Sequence, residues 1–261
     1  MSRSGRVRVG LLAALAVCVL GASGALAASP TPPIKLAYVE GDLAGTQTIW
    51  SEDGKRVLGI IEYRQHLTKD RMHIVRLARF RDGSSDEDEV DVRVSDRLES
   101  IGGRSIIRDP RGKPTVDLTI DVAGKRVKGF YLDDGKRVTV DEEADVGPGT
   151  YWGPLINLVL KNFDANADGD TLVFQTVAPT PKPRVIDMEL KRVGPATVAR
   201  IAGGKVATTR VTMLPTVNFL IDPILQRFVP KTEFFIDAAK PPMMVKFAGP
   251  RNYAGQTMRL E

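Results

Sequence analysis

Along most of the chain, apolar and polar residues alternate one by one, which is the period of a β-strand with one face buried and one face wet. Val116, Leu118, Ile120 and Val122 alternate with Asp117, Thr119 and Asp121. Val90–Val94 and Ile186–Lys191 follow the same rule. Further strands are expected at Val57–Tyr63, Met72–Phe80, Val127–Leu132, Arg137–Val140, Leu172–Val177, Lys205–Met213, Glu233–Ile236, Met243–Phe247 and Gln256–Leu260. Between them stand turn formers: Glu52-Asp53-Gly54, Asp82-Gly83-Ser84-Ser85, Asp109-Pro110-Arg111-Gly112, Asp133-Asp134-Gly135 and Gly203-Gly204. Short strands joined by tight turns read as an antiparallel meander. About a dozen strands exceed a comfortable flat sheet, so the meander is expected to curl into a half-barrel or open barrel.

One segment changes period. From Pro154 to Phe163, apolar residues at 155, 156, 158, 159, 160 and 163 suit a short helix packed on or in the sheet, with Pro154 near its first turn. A second short helix is expected near Val217–Leu225, interrupted by Pro223. Ala178–Pro183 reads as a stiff, extended connection. The expectation is therefore mainly β: one domain over residues 36–261, with a seam at 147–151.

The first 28 residues obey different rules. Arg3, Arg6 and Arg8 precede the apolar run Val9–Leu20, and Ala25-Leu26-Ala27-Ala28 closes it as a cleavage site. The run is short of the ~20 residues a spanning helix needs. We read 1–28 as a signal peptide, cut after Ala27 or Ala28, and 29–35 as a flexible Pro-rich leader. That implies export to the periplasm or beyond, with no transmembrane anchor after cleavage. Cys18 falls inside this segment, leaving no disulfide, thiol nucleophile or thiolate-bound metal to the mature chain. Removing the segment also changes the charge from 37 − 32 = +5 to 34 − 32 = +2. The basic clusters that remain, such as Lys125–Lys128, are flanked by acids, so no nucleic-acid partner is expected.

Chemistry-bearing motifs are sparse. Asp164, Asn166 and Asp168 with Gly169 fit the first half of a calcium loop, and Asp170 adds a further oxygen. The twelfth position, where a bidentate Glu belongs, is Gln175, and a strand follows instead of a helix. The stretch reads first as a helix-to-strand turn and second as a calcium site, with no other cofactor expected. His66 and His73 are seven apart and would face opposite sides of one continuous strand, so they make no zinc pair. No Gly-x-Ser-x-Gly motif marks a serine hydrolase. Asp86–Glu89 reads as a solvated hairpin tip. Gly149–Pro154 and Phe247–Gln256 combine aromatic residues with Gly and Pro. They either line the mouth of an apolar cavity, with Tyr151, Trp152 and Tyr253 touching a ligand, or plug the end of the curled sheet.

Several stretches carry a resemblance: Thr150–Phe163, Leu172–Leu190, Leu214–Pro230, Pro241–Pro250 and Arg251–Gln256. In this order, after a β meander, the chain resembles a family of uncharacterised exported bacterial proteins. At the level of fold it is similar to periplasmic lipoprotein carriers, in which a half-barrel wraps a helix. That resemblance implies a curved sheet around an apolar groove, and by analogy alone a lipid or other apolar small molecule as partner. The functions expected are thus a non-enzymatic periplasmic binding or carrier protein, a carboxylate- or calcium-dependent hydrolase of envelope polymers, or an envelope structural factor.

Overall fold

The computed structural model describes residues 31–178, 184–200, 203–216, 232–251 and 257–260. The segment read as a signal peptide, the helix expected near Val217–Leu225 and Tyr253 lie outside these residues. Fourteen strands form one antiparallel sheet, as the alternation requires. In the N-terminal half these are β1 (Leu43–Ser51), β2 (Val57–Thr68), β3 (Arg71–Phe80), β4 (Ser85–Val94), β5 (Leu98–Arg108), β6 (Pro114–Asp121), β7 (Arg126–Asp133) and β8 (Lys136–Glu143). After helices α1 (Leu155–Lys161) and α2 (Phe163–Asn166) come β9 (Thr171–Ala178), β10 (Arg184–Ala199), β11 (Lys205–Pro215), β12 (Thr232–Ile236), β13 (Met244–Pro250) and β14 (Thr257–Leu260).

The order across the sheet is β8 to β1, then β14 down to β9. Each half is a meander, and the pair β1·β14 joins them. The hairpin turns fall where Gly and Asp predict them: Gly54, Gly83, Gly112, Asp134 and Gly203 all have positive φ. Curling is built in by glycines on β5 and β7. A Cβ on Gly103 would stand 2.3 Å from Glu89 O, and one on Gly129 would stand 1.9 Å from Asp117 O. Only glycine permits these close approaches, and they bend the strands.

The inner face is filled from α1. Leu155, Leu158, Val159, Leu160 and Phe163 are buried against Met72, Ile74, Val90, Val92, Leu118, Phe174 and Leu190. A smaller apolar cluster, Ile49, Ile61, Ala78, Met258 and Leu260, sits under the β1·β14 junction. The segment between β8 and α1 connects the two outer edges of the sheet. Ser100 N–H donates to Pro148 O (2.8 Å), and Tyr151 N–H donates to Gln175 O (2.7 Å) on β9. Residues 147, 149, 150 and 151 of this segment are buried.

Two expectations are corrected here. Asp86–Glu89 is no hairpin tip: it lies within β4, whose inward positions include Asp86 and Asp88 as well as Val90, Val92 and Val94. The acids are tolerated inside because arginines neutralise them. Arg76 Nε reaches Asp88 Oδ2 at 2.9 Å, and Arg251 holds Asp86 through Nε (2.9 Å) and Nη2 (2.6 Å). His66 and His73 share one face, because a turn at Lys69 (φ 58°) places them directly opposite across β2 and β3. His66 pairs with Asp42 (3.0 Å) and His73 with Asp91 (3.0 Å), all on the solvent side.

Candidate functional site

The site lies beside the junction of the two half-sheets. Among the described residues, β14 pairs with β1 only at Ile49–Ser51. Beside the first half of β1, among the described residues, a space opens between β1, the start of β13 and α1. A cavity of about 350 Å³ fills this space. Its walls are Leu43–Gln47 of β1, Tyr63 of β2, Ile236 at the end of β12, and Pro242, Met243 and Met244 leading into β13. Its floor is Asn157, Leu158, Leu160 and Lys161 of α1. The rim carries two apolar side chains unusually open to solvent, Leu43 (43%) and Met243 (56%). Gly45 contributes no side chain, and a Cβ built on it would meet nothing within 4 Å.

The polar groups at the wall are few and fixed. Lys161, in the last turn of α1 where a cation suits the helix end, is ion-paired with Glu40, both mostly buried. Tyr63 donates to Gln65 Oε1 at 2.8 Å, and Gln65 Nε2 donates to Gly41 O at 2.8 Å, which holds the approach to β1. Burial, reinforced by the negative charge of Glu40, pushes the Tyr63 hydroxyl above the ordinary tyrosine range. It is a neutral donor at physiological pH. A second, smaller pocket of about 60 Å³ shares Leu160, Lys161, Ile236 and Pro242 with the first and ends at Arg192 and Asp164.

Of the aromatic residues singled out in the sequence, Tyr151 and Trp152 lie in the core rather than on this cavity, at 0% and 3% exposure. The Tyr151 hydroxyl accepts from Ile34 N–H (2.9 Å) and donates to Leu98 O (2.7 Å). Its place is that of the plug. Tyr253 falls outside the described residues. In the calcium-like turn, Asp164 and Asp170 face one arginine, while Asn166 and Asp168 bond elsewhere. Asp164 Oδ1 takes Arg192 Nη2 (2.6 Å), and Asp170 Oδ1 lies 3.3 Å from Arg192 Nε. Asn166 Oδ1 accepts Lys35 N–H (2.6 Å), while its Nδ2 donates to Lys35 O. Asp168 closes the turn through backbone bonds with Thr171, beside Gly169 at φ 60°. Gln175 is buried and receives Thr31 N–H at 3.4 Å. The stretch forms the helix-to-strand turn, and the cation shared by Asp164 and Asp170 is a guanidinium.

Sequence reasoning missed Glu40, Gly45, Tyr63 and Lys161. The only local signal was Leu43-Ala-Gly-Thr-Gln-Thr48, a weak strand with an unusually small, uncharged face.

Comparison with known proteins adds little beyond this geometry. No family model matches the chain, and no curated protein does. One solved structure is similar: the crystal structure of a beta-barrel-like protein of domain of unknown function DUF1849 from Brucella abortus, at 12% identity and a TM-score of 0.42, over 85% of this chain and 97% of that one.

Proposed function

We propose that this protein is a non-enzymatic binding module, acting after export, that holds an apolar ligand between α1 and the sheet. The observation that carries the reading is the 350 Å³ cavity, with its apolar walls and its exposed Leu43 and Met243 at the rim. Cavities that hold small ligands run from about 300 to 1,000 Å³, are mostly apolar and have a few placed polar groups. This one lies at the small end, the size of one acyl chain rather than a multi-chain lipid. Lys161, Glu40 and Tyr63 are the polar groups placed to orient it. The acids inside the barrel, Asp86 and Asp88, are each tied to an arginine, which gives the hydrolase alternative no free carboxylate pair there.

Gly45→Leu tests the reading, because the new side chain has open space to enter. Binding of a fluorescent fatty acid, measured by titration, is expected to weaken at least tenfold while the melting temperature holds. Unchanged affinity in the variant would remove this cavity as the site. Failure of the native protein to bind the probe, together with no extractable lipid after purification from its own envelope, would remove the function.

A further inference from the structure

Two amide side chains on the cavity wall are not used by the fold. Asn157 stands on α1 one turn before Lys161, so both face the cavity from the same side of the helix. Gln47 lies directly opposite Ile61 across β1 and β2. Ile61 is buried, and directly paired residues share a face of the sheet, so Gln47 points inward as well. Both amides are half-buried. Among the described residues, neither side chain makes a hydrogen bond. Asn162, Asn166, Gln65 and Gln175 differ, since each holds a backbone group. The other polar groups of the wall carry no spare charge. Lys161 is paired with Glu40, and the Tyr63 proton goes to Gln65. Those two are the charged residues of the lining, so its net charge is zero.

We infer that the ligand of this cavity is an amphiphile with a single hydrocarbon chain and an uncharged, hydroxyl-bearing head, of the monoacylglycerol type, and that Asn157 and Gln47 bind the head. The inference rests on the ligand reading proposed above and names the class of ligand. Charge is the first argument. A carboxylate or phosphate head would lie near Glu40 with no uncommitted cation to meet it, and a buried charge without a partner is strongly unfavourable. A cationic head would meet Lys161 in the same way. The second argument is hydrogen-bond matching. Each amide carries two N–H donors and an acceptor oxygen. A hydroxyl both donates and accepts, so it satisfies either end, whereas a carboxylate only accepts. A bare hydrocarbon would strip water from both amides and return no hydrogen bond, which disfavours it. The third is the division of the wall. Leu158, Leu160, Ile236 and Met244 are left for the chain, which leads towards Leu43 and Met243 at the rim.

The test compares decanoylglycerol with decanoate, two ligands of equal chain length, on the full mature protein. Binding is measured by calorimetry at neutral pH, below the concentrations at which either aggregates. Decanoylglycerol is expected to bind at least about tenfold tighter. In the double variant Asn157→Leu with Gln47→Leu, its affinity is expected to fall to that of decanoate while the melting temperature holds. Should the double variant melt early, Asn157→Leu alone carries the comparison. Equal affinity of the native protein for the two ligands, or a preference for decanoate, would overturn the inference and keep the ligand reading. A preference undiminished in the variants also overturns it, because the amides would then not read the head. Binding of neither ligand overturns it too. If the fluorescent fatty acid also fails to bind and no lipid is extracted, the ligand reading falls with it.

Discussion

At Tyr151 one side chain joins three parts of the chain that are far apart in sequence. Its hydroxyl links Ile34 of the leading segment to Leu98 of β5, and its backbone N–H reaches Gln175 of β9. Tyr151→Phe keeps the ring but strands a buried N–H and a buried C=O. Each stranded group costs about 1–3 kcal/mol. The variant is expected to unfold at lower urea with an unchanged slope, as measured by circular dichroism. Tyr151 and Tyr63 also set the alkaline limit. Burial raises both hydroxyls above the ordinary tyrosine value of 10.0. The folded state therefore keeps two protons that the unfolded chain releases. Stability is full below pH 10 and falls above it, by up to about 1.4 kcal/mol per pH unit for each tyrosine. Urea midpoints between pH 9 and 11 check this, and Tyr63→Phe should flatten the fall.

The leading segment and the helices form one element-scale device. Asn162 stands between α1 and α2, nearly fully buried. Its Oδ1 accepts Ala37 N–H (2.7 Å) and Tyr38 N–H (2.9 Å), and its Nδ2 donates to Leu158 O (3.0 Å). Residues 35–38 are thereby strapped across the helices, and Glu40 is delivered to Lys161. Asn162→Ala removes the acceptor of two partly buried amides and is expected to lose about 1–2 kcal/mol, since water reaches the exposed Ala37. Trypsin should then cut at Lys35 in the folded protein, a change visible by mass spectrometry. The α1 helix itself was legible in the sequence, since its apolar spacing departs from the surrounding alternation. β1 and β5 were not. Ala44-Gly-Thr-Gln47 and Gly102-Gly103 break the apolar alternation, and these strands exist because their neighbours offer ladder hydrogen bonds. The acidic half of β4 was misread for the related reason that its neutralising arginines are remote in sequence.

Across the whole molecule, the end of β13 is tied to β4 although β14, β1, β2 and β3 lie between them in the sheet. Arg251 holds Asp86 with two hydrogen bonds, donates to Ser84 Oγ (2.9 Å), and stacks 3.6 Å above the Phe80 ring. This cross-tie needs a curled sheet and helps keep it curled. Removing one partner leaves a buried charge uncompensated, which costs about 3–5 kcal/mol. Arg251→Leu is therefore expected to lower the melting temperature sharply. The double variant Arg251→Leu with Asp86→Leu should recover most of the loss. A double-mutant cycle by calorimetry checks this, and additive losses would mean that the tie is not coupled.

The alternation of apolar and polar residues, by itself, determined that this chain is an antiparallel meander with one internal helix. Hydrophobic periodicity and turn chemistry are local, and a strand's two faces are written into consecutive residues. Where the two half-sheets would meet, and which remote arginine would reach Asp86, were decided only by tertiary structure. The cavity belongs to that second class. Its walls come from β1, β2, β12, β13 and α1, and no single stretch of sequence holds that convergence.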